Sequence, residues 1–224
     1  MTKKILIIGG TGDIGKAISK KFLNKDIHSL GSNDLDLSCN NSINKFFENN
    51  KFLYESLVFV SGVNNPSLIK NTNDKEFEET LKINCSSLHY IFSNNYKCLS
   101  KLKSVVVIGS LYASFARSKR ASYTISKHGL LGLVKSLAIE LSPECNVNMI
   151  SPGFINTRLT QKNNSRSKLK KISSMIPQKK LGKPEDIANA VVFLTKKESL
   201  YINGINLTID GGFSCGGFQG YIDE

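Results

Sequence analysis

Tyr123 and Lys127 stand four residues apart in the stretch KRASYTISKHG, residues 119–129. On a helix that spacing puts a phenol and an ammonium on one face, one turn apart. A free phenol keeps its proton up to a pKa of about 10, too high for easy exchange at neutral pH. An adjacent ammonium favours the phenolate and brings that value down. The pair could therefore give a proton to a substrate oxygen or take one from it. In a Lys-rich chain such a pair also arises on ordinary solvated helix faces, so its meaning depends on what positions it.

Short apolar runs alternate with helical patterns along the chain. The strand candidates are residues 4–9, 27–30, 56–62, 104–110, 146–151 and 205–210. Most are β-branched and apolar on both faces, as buried parallel strands are. Helix candidates lie at 14–24, 74–100, 122–142 and 185–196; in the third, Ile125, Leu130, Leu133, Leu137 and Leu141 recur mostly at three- and four-residue spacings. Pro184 followed by Glu185 and Asp186 suits a helix start. This alternation predicts an α/β fold with a doubly wound parallel sheet.

At the front, ILIIGGTGDIGKAI reads as strand, glycine turn and helix start, with Gly9, Gly12 and Gly15 spaced G-x-x-G-x-x-G. Glycine is needed where a backbone turns sharply beside a pyrophosphate, and the helix N-terminus offers N–H donors to phosphate. The context predicts a dinucleotide site. After the second strand come Gly31, Ser32 and Asn33, with no acid and no Arg. Small polar residues there tolerate a 2′-phosphate, which leans the reading to NADP over NAD. Asp34 remains within reach of a ribose 2′-hydroxyl.

Composition narrows the classes. The chain has 224 residues and a net charge of +12, and no apolar run reaches membrane-spanning length. Its five Cys are widely spaced without a zinc pattern, as in a reduced, cytoplasmic protein, and no metal site is expected. His28, His89 and His128 share no motif. Residues 158–183 carry nine Lys or Arg and no acid. That segment reads either as a solvated loop or as an attractor for an anionic substrate or acidic partner. It lacks the aromatics that nucleic-acid stacking would use, so no nucleic-acid partner and no membrane partner is expected.

With the loop in place, further matches fall in order: Asn84 in LKINCSS, Ser110 ending SVVVIGS, then NMISPGFINTR (148–158), LGKPEDIANAVVFL (181–194) and INGINLTIDGG (202–212). Together with Tyr123 and Lys127 these resemble the classical short-chain dehydrogenase/reductase family over nearly the whole chain. The resemblance implies a single Rossmann-type domain over 1–224 with a parallel sheet of about seven strands. It implies an NAD(P)-dependent oxidoreductase acting on a small-molecule carbonyl or secondary alcohol. Tyr123 would be the general acid or base, Lys127 would bind the nicotinamide ribose and lower the Tyr pKa, Ser110 would hold the substrate oxygen, and Asn84 a water linking Lys127 to solvent.

For the cofactor, the resemblance points to Gly9, Thr11, Gly12, Asp13, Ile14 and Gly15 in the loop, Ser32 after the second strand, and Ser61 and Gly62 after the next. Asp36 and Leu37 would flank adenine. Pro152, Gly153, Ile155 and Thr157 would line the nicotinamide side. It further implies a homodimer or homotetramer joined through helices around 84–100 and 122–142, and a mobile lid over 157–184. Phe115 and Phe154 are candidates to line the substrate pocket or to pack in the core. An anionic or carrier-bound substrate fits the basic lid. A 3-oxoacyl carrier-protein reductase and a sugar-ketone reductase are narrower alternatives, and a non-catalytic NAD(P)-binding regulator is the rival class.

Three departures stand out. Asp13 occupies the place of a loop glycine, so its carboxylate is expected to point away from the phosphates or cap the helix. Phe59-Val60-Ser61-Gly62 replaces the family's Asn-Asn-Ala-Gly. Only a few residues separate the second strand from DLDLS, where the family usually has a helix, so the adenosine pocket is expected to be open.

Overall fold

The computed structural model describes residues 4–22, 26–50 and 52–216. Its sheet has six parallel strands in the order β2-β1-β3-β4-β5-β6: Lys4–Ile8, Asp26–Leu30, Tyr54–Phe59, Ser104–Ile108, Asn146–Pro152 and Asn206–Ile209. The parallel ladders place every C-terminal strand end on one edge, and β2 and β3 flank β1 on opposite sides. The order reverses there, which opens a crevice above β1.

Alternate residues of each strand feed two different cores. Leu6, Ile8, Leu57, Phe59, Val105, Val107, Val147 and Met149 point to one face, where they meet Ile91 of α4 (Ser87–Leu99) and Leu130 and Val134 of α5 (Ala121–Glu140). Ile5, Ile7, Val58, Val106, Ile108 and Ile150 point to the other, against Ile18 of α1 (Asp13–Lys21) and Ile187 and Val191 of α8 (Pro184–Leu194). Both faces being covered explains why the strands read as unbroken apolar runs.

Among the described residues the strand count is six, against about seven expected for the fold. Only Gly31 to Cys39 lie between β2 and α2 (Asn40–Asn49). A parallel crossover needs about a dozen residues or more, so no further strand can return beyond β2. The helix expected at 74–100 is three pieces: α3 (Asp74–Leu81), a π-helical turn at Lys82–Ser86, and α4. Helix α2, absent from the expectations, is Asn-rich and held by Ile43 and Phe47, both buried in the core. The expected lid contains α6 (Arg158–Lys162) and α7 (Arg166–Met175), the latter capped by Ser165 Oγ, which accepts from Lys168 N. Residues 23 and 24 of the expected first helix lie outside the described set.

Candidate active site

Residues from four elements meet at the C-terminal edge of the sheet. Ser126, Lys127, Leu130 and Val134 share the buried face of α5, so packing of the two apolar residues carries Lys127 beneath the end of β4. Its Nζ donates to Ile108 O at 3.2 Å and lies 5.7 Å from the Tyr123 ring centre. Burial pushes the Lys127 pKa down to about 8, with the Cys85 thiol pulling weakly the other way. Ser110, just past β4, accepts from Tyr112 N at 3.3 Å, and its hydroxyl lies near enough to the Tyr123 phenol to favour the phenolate.

Tyr123 departs from its expected titration. Its pKa is raised, first by burial and then by Tyr112, whose ring packs edge-on 5.6 Å away; Ser110 and Arg120 oppose the rise. The Lys127 ammonium, turned toward Ile108 O, is not among the groups that lower it. In this geometry Tyr123 holds its proton as a donor.

Asn84 owes its place to the π-helical turn, which shifts the helix register by one residue, a feature frequent at functional sites. The side chain is fully buried and makes three of its four possible hydrogen bonds: Nδ2 donates to Val63 O (2.9 Å) and Ser126 Oγ (3.0 Å), and Oδ1 accepts from Val63 N (2.7 Å). Ser126 Oγ donates in turn to Tyr123 O at 2.7 Å. Asn84 thus ties the end of β3 to the turn of α5 that carries Tyr123. A methyl group built on Gly62 would lie 3.4 Å from both Asn84 Oδ1 and Lys127 Nζ, so this glycine, which also lines the adjoining cavity, packs directly over both groups.

The crevice continues into a cavity of about 400 Å³ lined by Gly9, Gly12, Asp13, Ile14, Gly15, Val60, Gly62, Thr157, Arg158, Leu159 and Lys162. Gly9 has φ +92°, and a Cβ there would strike Ser61 N and Oγ at 2.7 Å. Gly15 lets the first turn of α1 rest on the loop, since a Cβ would fall 2.6 Å from Gly10 Cα. The bare turn, the amide-bearing start of α1 and two cations fit a dinucleotide pyrophosphate.

Seven expected cofactor residues line that cavity, while Pro152 and Gly153 line the neighbouring pocket that holds Ser110 and Tyr123. The others lie apart. Thr11 packs against Gly31, Ser61 packs under Gly9, and Ser32 and Asp36 are exposed. Leu37 and Ile155 are buried in the two cores. Asp34 accepts from Gly31 N at 2.8 Å and Asp36 from Ser38 N and Oγ, so both carboxylates are already engaged in their turns. Phe154 and Phe115 line a second, apolar cavity of about 370 Å³ beside the Tyr123 pocket.

Arg158 was not singled out by its spacing. Its backbone N and Nε donate to Asp13 Oδ2 and Oδ1 at 2.6 and 2.8 Å, and its Nη2 donates to Thr11 O at 3.2 Å. Arg158 holds the Asp13 carboxyl below its ordinary range. The departure at Asp13 is thereby neutralised by Arg158 at the start of α6. Arg158 is well exposed, so the pair contributes little stability. Asp13→Asn is expected to leave the unfolding free energy within about 1 kcal/mol. By removing a negative charge beside the phosphates it should tighten NADPH binding by about fivefold. Chemical denaturation and fluorescence titration check the two parts.

The family described as enoyl-(acyl carrier protein) reductase matches residues 16–214. The 3-oxoacyl-[acyl-carrier-protein] reductase FabG of Buchnera aphidicola subsp. Acyrthosiphon pisum is 31% identical over 233 residues, covering 92% of this chain and 95% of the relative. A short chain dehydrogenase family protein from Francisella tularensis superposes with a TM-score of 0.85 at 23% identity, over 96% of this chain and all of that one. ElxO with NADP bound superposes with a TM-score of 0.82 at 25% identity, over 96% of this chain. The family model and the relatives agree with the fold: the chain belongs to the short-chain dehydrogenase/reductase family and is an NAD(P)-dependent oxidoreductase of that family.

Proposed function

We propose that the chain is a single catalytic domain that reduces a ketone or aldehyde with NADPH, Tyr123 supplying the proton. The observation that carries this reading is that Ser110 and Tyr123 line one pocket, with the buried Lys127 ammonium 5.7 Å from the Tyr123 ring and the glycine-lined cavity alongside. Ser110 and Tyr123 would hold the substrate carbonyl oxygen between two hydroxyls. When bound, the reduced nicotinamide supplies a hydride to the carbonyl carbon. The Tyr123 proton then goes to the oxygen, giving the alcohol and the oxidised cofactor. Lys127, packed beneath Gly62, would hold the nicotinamide ribose. Asn84 would act by fixing the Tyr123 turn, and the second lone pair of its Oδ1 would be available to hold a water.

NADPH is favoured over NADH because Asp34, the acid nearest the end of β2, is occupied by Gly31 N, while Ser32 is exposed there. Residues 157–184 would close over the substrate, and the chain would work as a cytoplasmic homodimer or homotetramer. The 3-oxoacyl carrier-protein reductase reading draws support from the FabG relatives and from the basic lid. NADPH consumption with a panel of ketones, aldehydes and 3-oxoacyl thioesters tests the proposal. Oxidation of NADPH in the presence of one class is expected; binding without turnover across the panel would favour a regulator.

A pH dependence follows from Lys127. Its ammonium is present below pH 8 and lost above, since its pKa is about 8. If it anchors the cofactor, NADPH affinity of the free protein should decline as pH rises through that value. Affinity unchanged up to the ordinary lysine value of 10.5 would detach Lys127 from cofactor binding.

A further inference from the structure

The pocket holding Ser110 and Tyr123 carries more positive charge than proton transfer needs. Its volume is about 120 Å³, and its walls include Arg117, Arg120, Asn64 and Asn163 but no Asp or Glu. Arg120 sits at the start of α5, one turn before Tyr123, and is half-buried. It donates to Asn64 Oδ1 at 2.7 Å, lies near Tyr112, and its charge is felt at Tyr123. Arg117 is exposed on the wall shared with the apolar cavity. Lys168 reaches over from α7 and feels Arg117, Arg120 and Lys119 as like charges. Among the described residues none of these four cations has an ion-pair partner.

The arrangement is built rather than incidental. Lys119 has φ +67°, a left-handed backbone that costs a non-glycine residue about 1 kcal/mol or more. Its carbonyl is held by Ser67 N at 3.1 Å, and this bend delivers Arg120 into the pocket wall. One reading is that Arg120 serves only to tether Asn64. That uses part of a guanidinium with five N–H donors, leaving donors in a fork that matches an oxyanion.

Building on the reductase reading, we propose that this pocket selects oxo acids: carbonyl compounds with a compact oxyanion, a carboxylate first, a few bonds from the reacting carbonyl. Arg120 holds the anion, and Arg117 and Lys168 draw it in. The pocket has room for about four waters, so carbonyl and anion belong to one small head group. The apolar cavity shared through Leu111, Tyr112 and Phe154 takes the remainder of the molecule. A 3-oxoacyl thioester, neutral around its carbonyl, would leave Arg120 without an anionic partner.

The test compares acetoacetate, levulinate and phenylpyruvate, each beside its methyl ester, as substrates with NADPH. At least one acid should exceed its ester by about tenfold or more in kcat/KM, the worth of a charge-assisted hydrogen bond. In Arg120→Gln that ratio should fall toward one through a raised KM for the acid, and Arg120→Lys should recover part of it. Esters or neutral carbonyls turned over as well as or better than the acids by wild-type protein would overturn the proposal and leave the reductase reading standing. If no carbonyl is reduced, the reductase reading fails, and calorimetric titration with the same acids decides the pocket: binding lost in Arg120→Gln supports it, no binding overturns it.

Discussion

Tyr123→Phe is expected to lower kcat for carbonyl reduction by about a thousandfold, within the range that general acid catalysis contributes, while NADPH affinity changes less than about threefold. The substitution removes one oxygen and keeps the ring that packs against Tyr112. Ser110 keeps its bond from Tyr112 N, so the pocket wall should not move. The cofactor cavity is lined by other residues. The burial that raises the Tyr123 pKa makes the phenol a proton donor throughout the neutral range; the other phenol of the pocket, Tyr112, packs edge-on against it, and a residual activity in the variant would point to that group. Steady-state kinetics with fluorescence titration separates the two effects. A variant that loses NADPH binding in step with turnover would show that Tyr123 shapes the cofactor cavity, and its role in proton transfer would lose its support.

Lys127→Met is expected to make the protein more stable and nearly inactive. The Lys127 side chain is 2% exposed, and its pKa falls from 10.5 to about 8 on folding. At about 1.4 kcal/mol for each tenfold change in proton affinity, that corresponds to roughly 3 kcal/mol of cost at neutral pH. The sign follows from the unfolded chain binding the proton more tightly than the folded one. The cost is full below pH 8, shrinks as pH rises from 8 to 10.5, and vanishes above, where the amine is neutral in both states. Met fills a similar volume without charge, but leaves Ile108 O without the Nζ donor, which costs about 1 kcal/mol or more. A net gain of about 1–2 kcal/mol at pH 7 is expected, fading toward pH 10. Denaturant midpoints at the two pH values measure it. Loss of stability at pH 7 would mean that Lys127 is a structural cation rather than a functional one bought at the expense of the fold. Activity should fall by about a hundredfold or more through loss of the cofactor anchor.

The sheet was legible because its four inner strands bury both faces, so β1, β3, β4 and β5 appear as apolar runs whatever packs on them. The Tyr123–Lys127 pair was legible because helical spacing alone puts both on one turn. What the pattern hid depends on distant contacts. Helix α2 is polar except where Ile43 and Phe47 reach the core, so tertiary burial rather than propensity makes it. The π-helical turn at Asn84 shifts a register that periodicity reads as continuous. Arg158 lies 145 residues from Asp13, and nothing local marks it as that residue's counter-charge. The raised Tyr123 pKa was missed for a similar reason: the expectation counted the nearby ammonium but not burial, nor the turn of Nζ toward Ile108 O. The only available sign of Arg158 was charge balance, an acid inside a phosphate loop requiring a cation somewhere to offset it.

The most direct measurement is titration of the purified protein with NADPH and with NADH, following nicotinamide fluorescence. Saturable binding with NADPH the tighter ligand is the predicted result, placing the 2′-phosphate where Ser32 is exposed and Asp34 is engaged by Gly31 N. Binding of neither nucleotide would contradict the account at its base, because the glycine turn, the start of α1 and the crevice above β1 would then have no ligand.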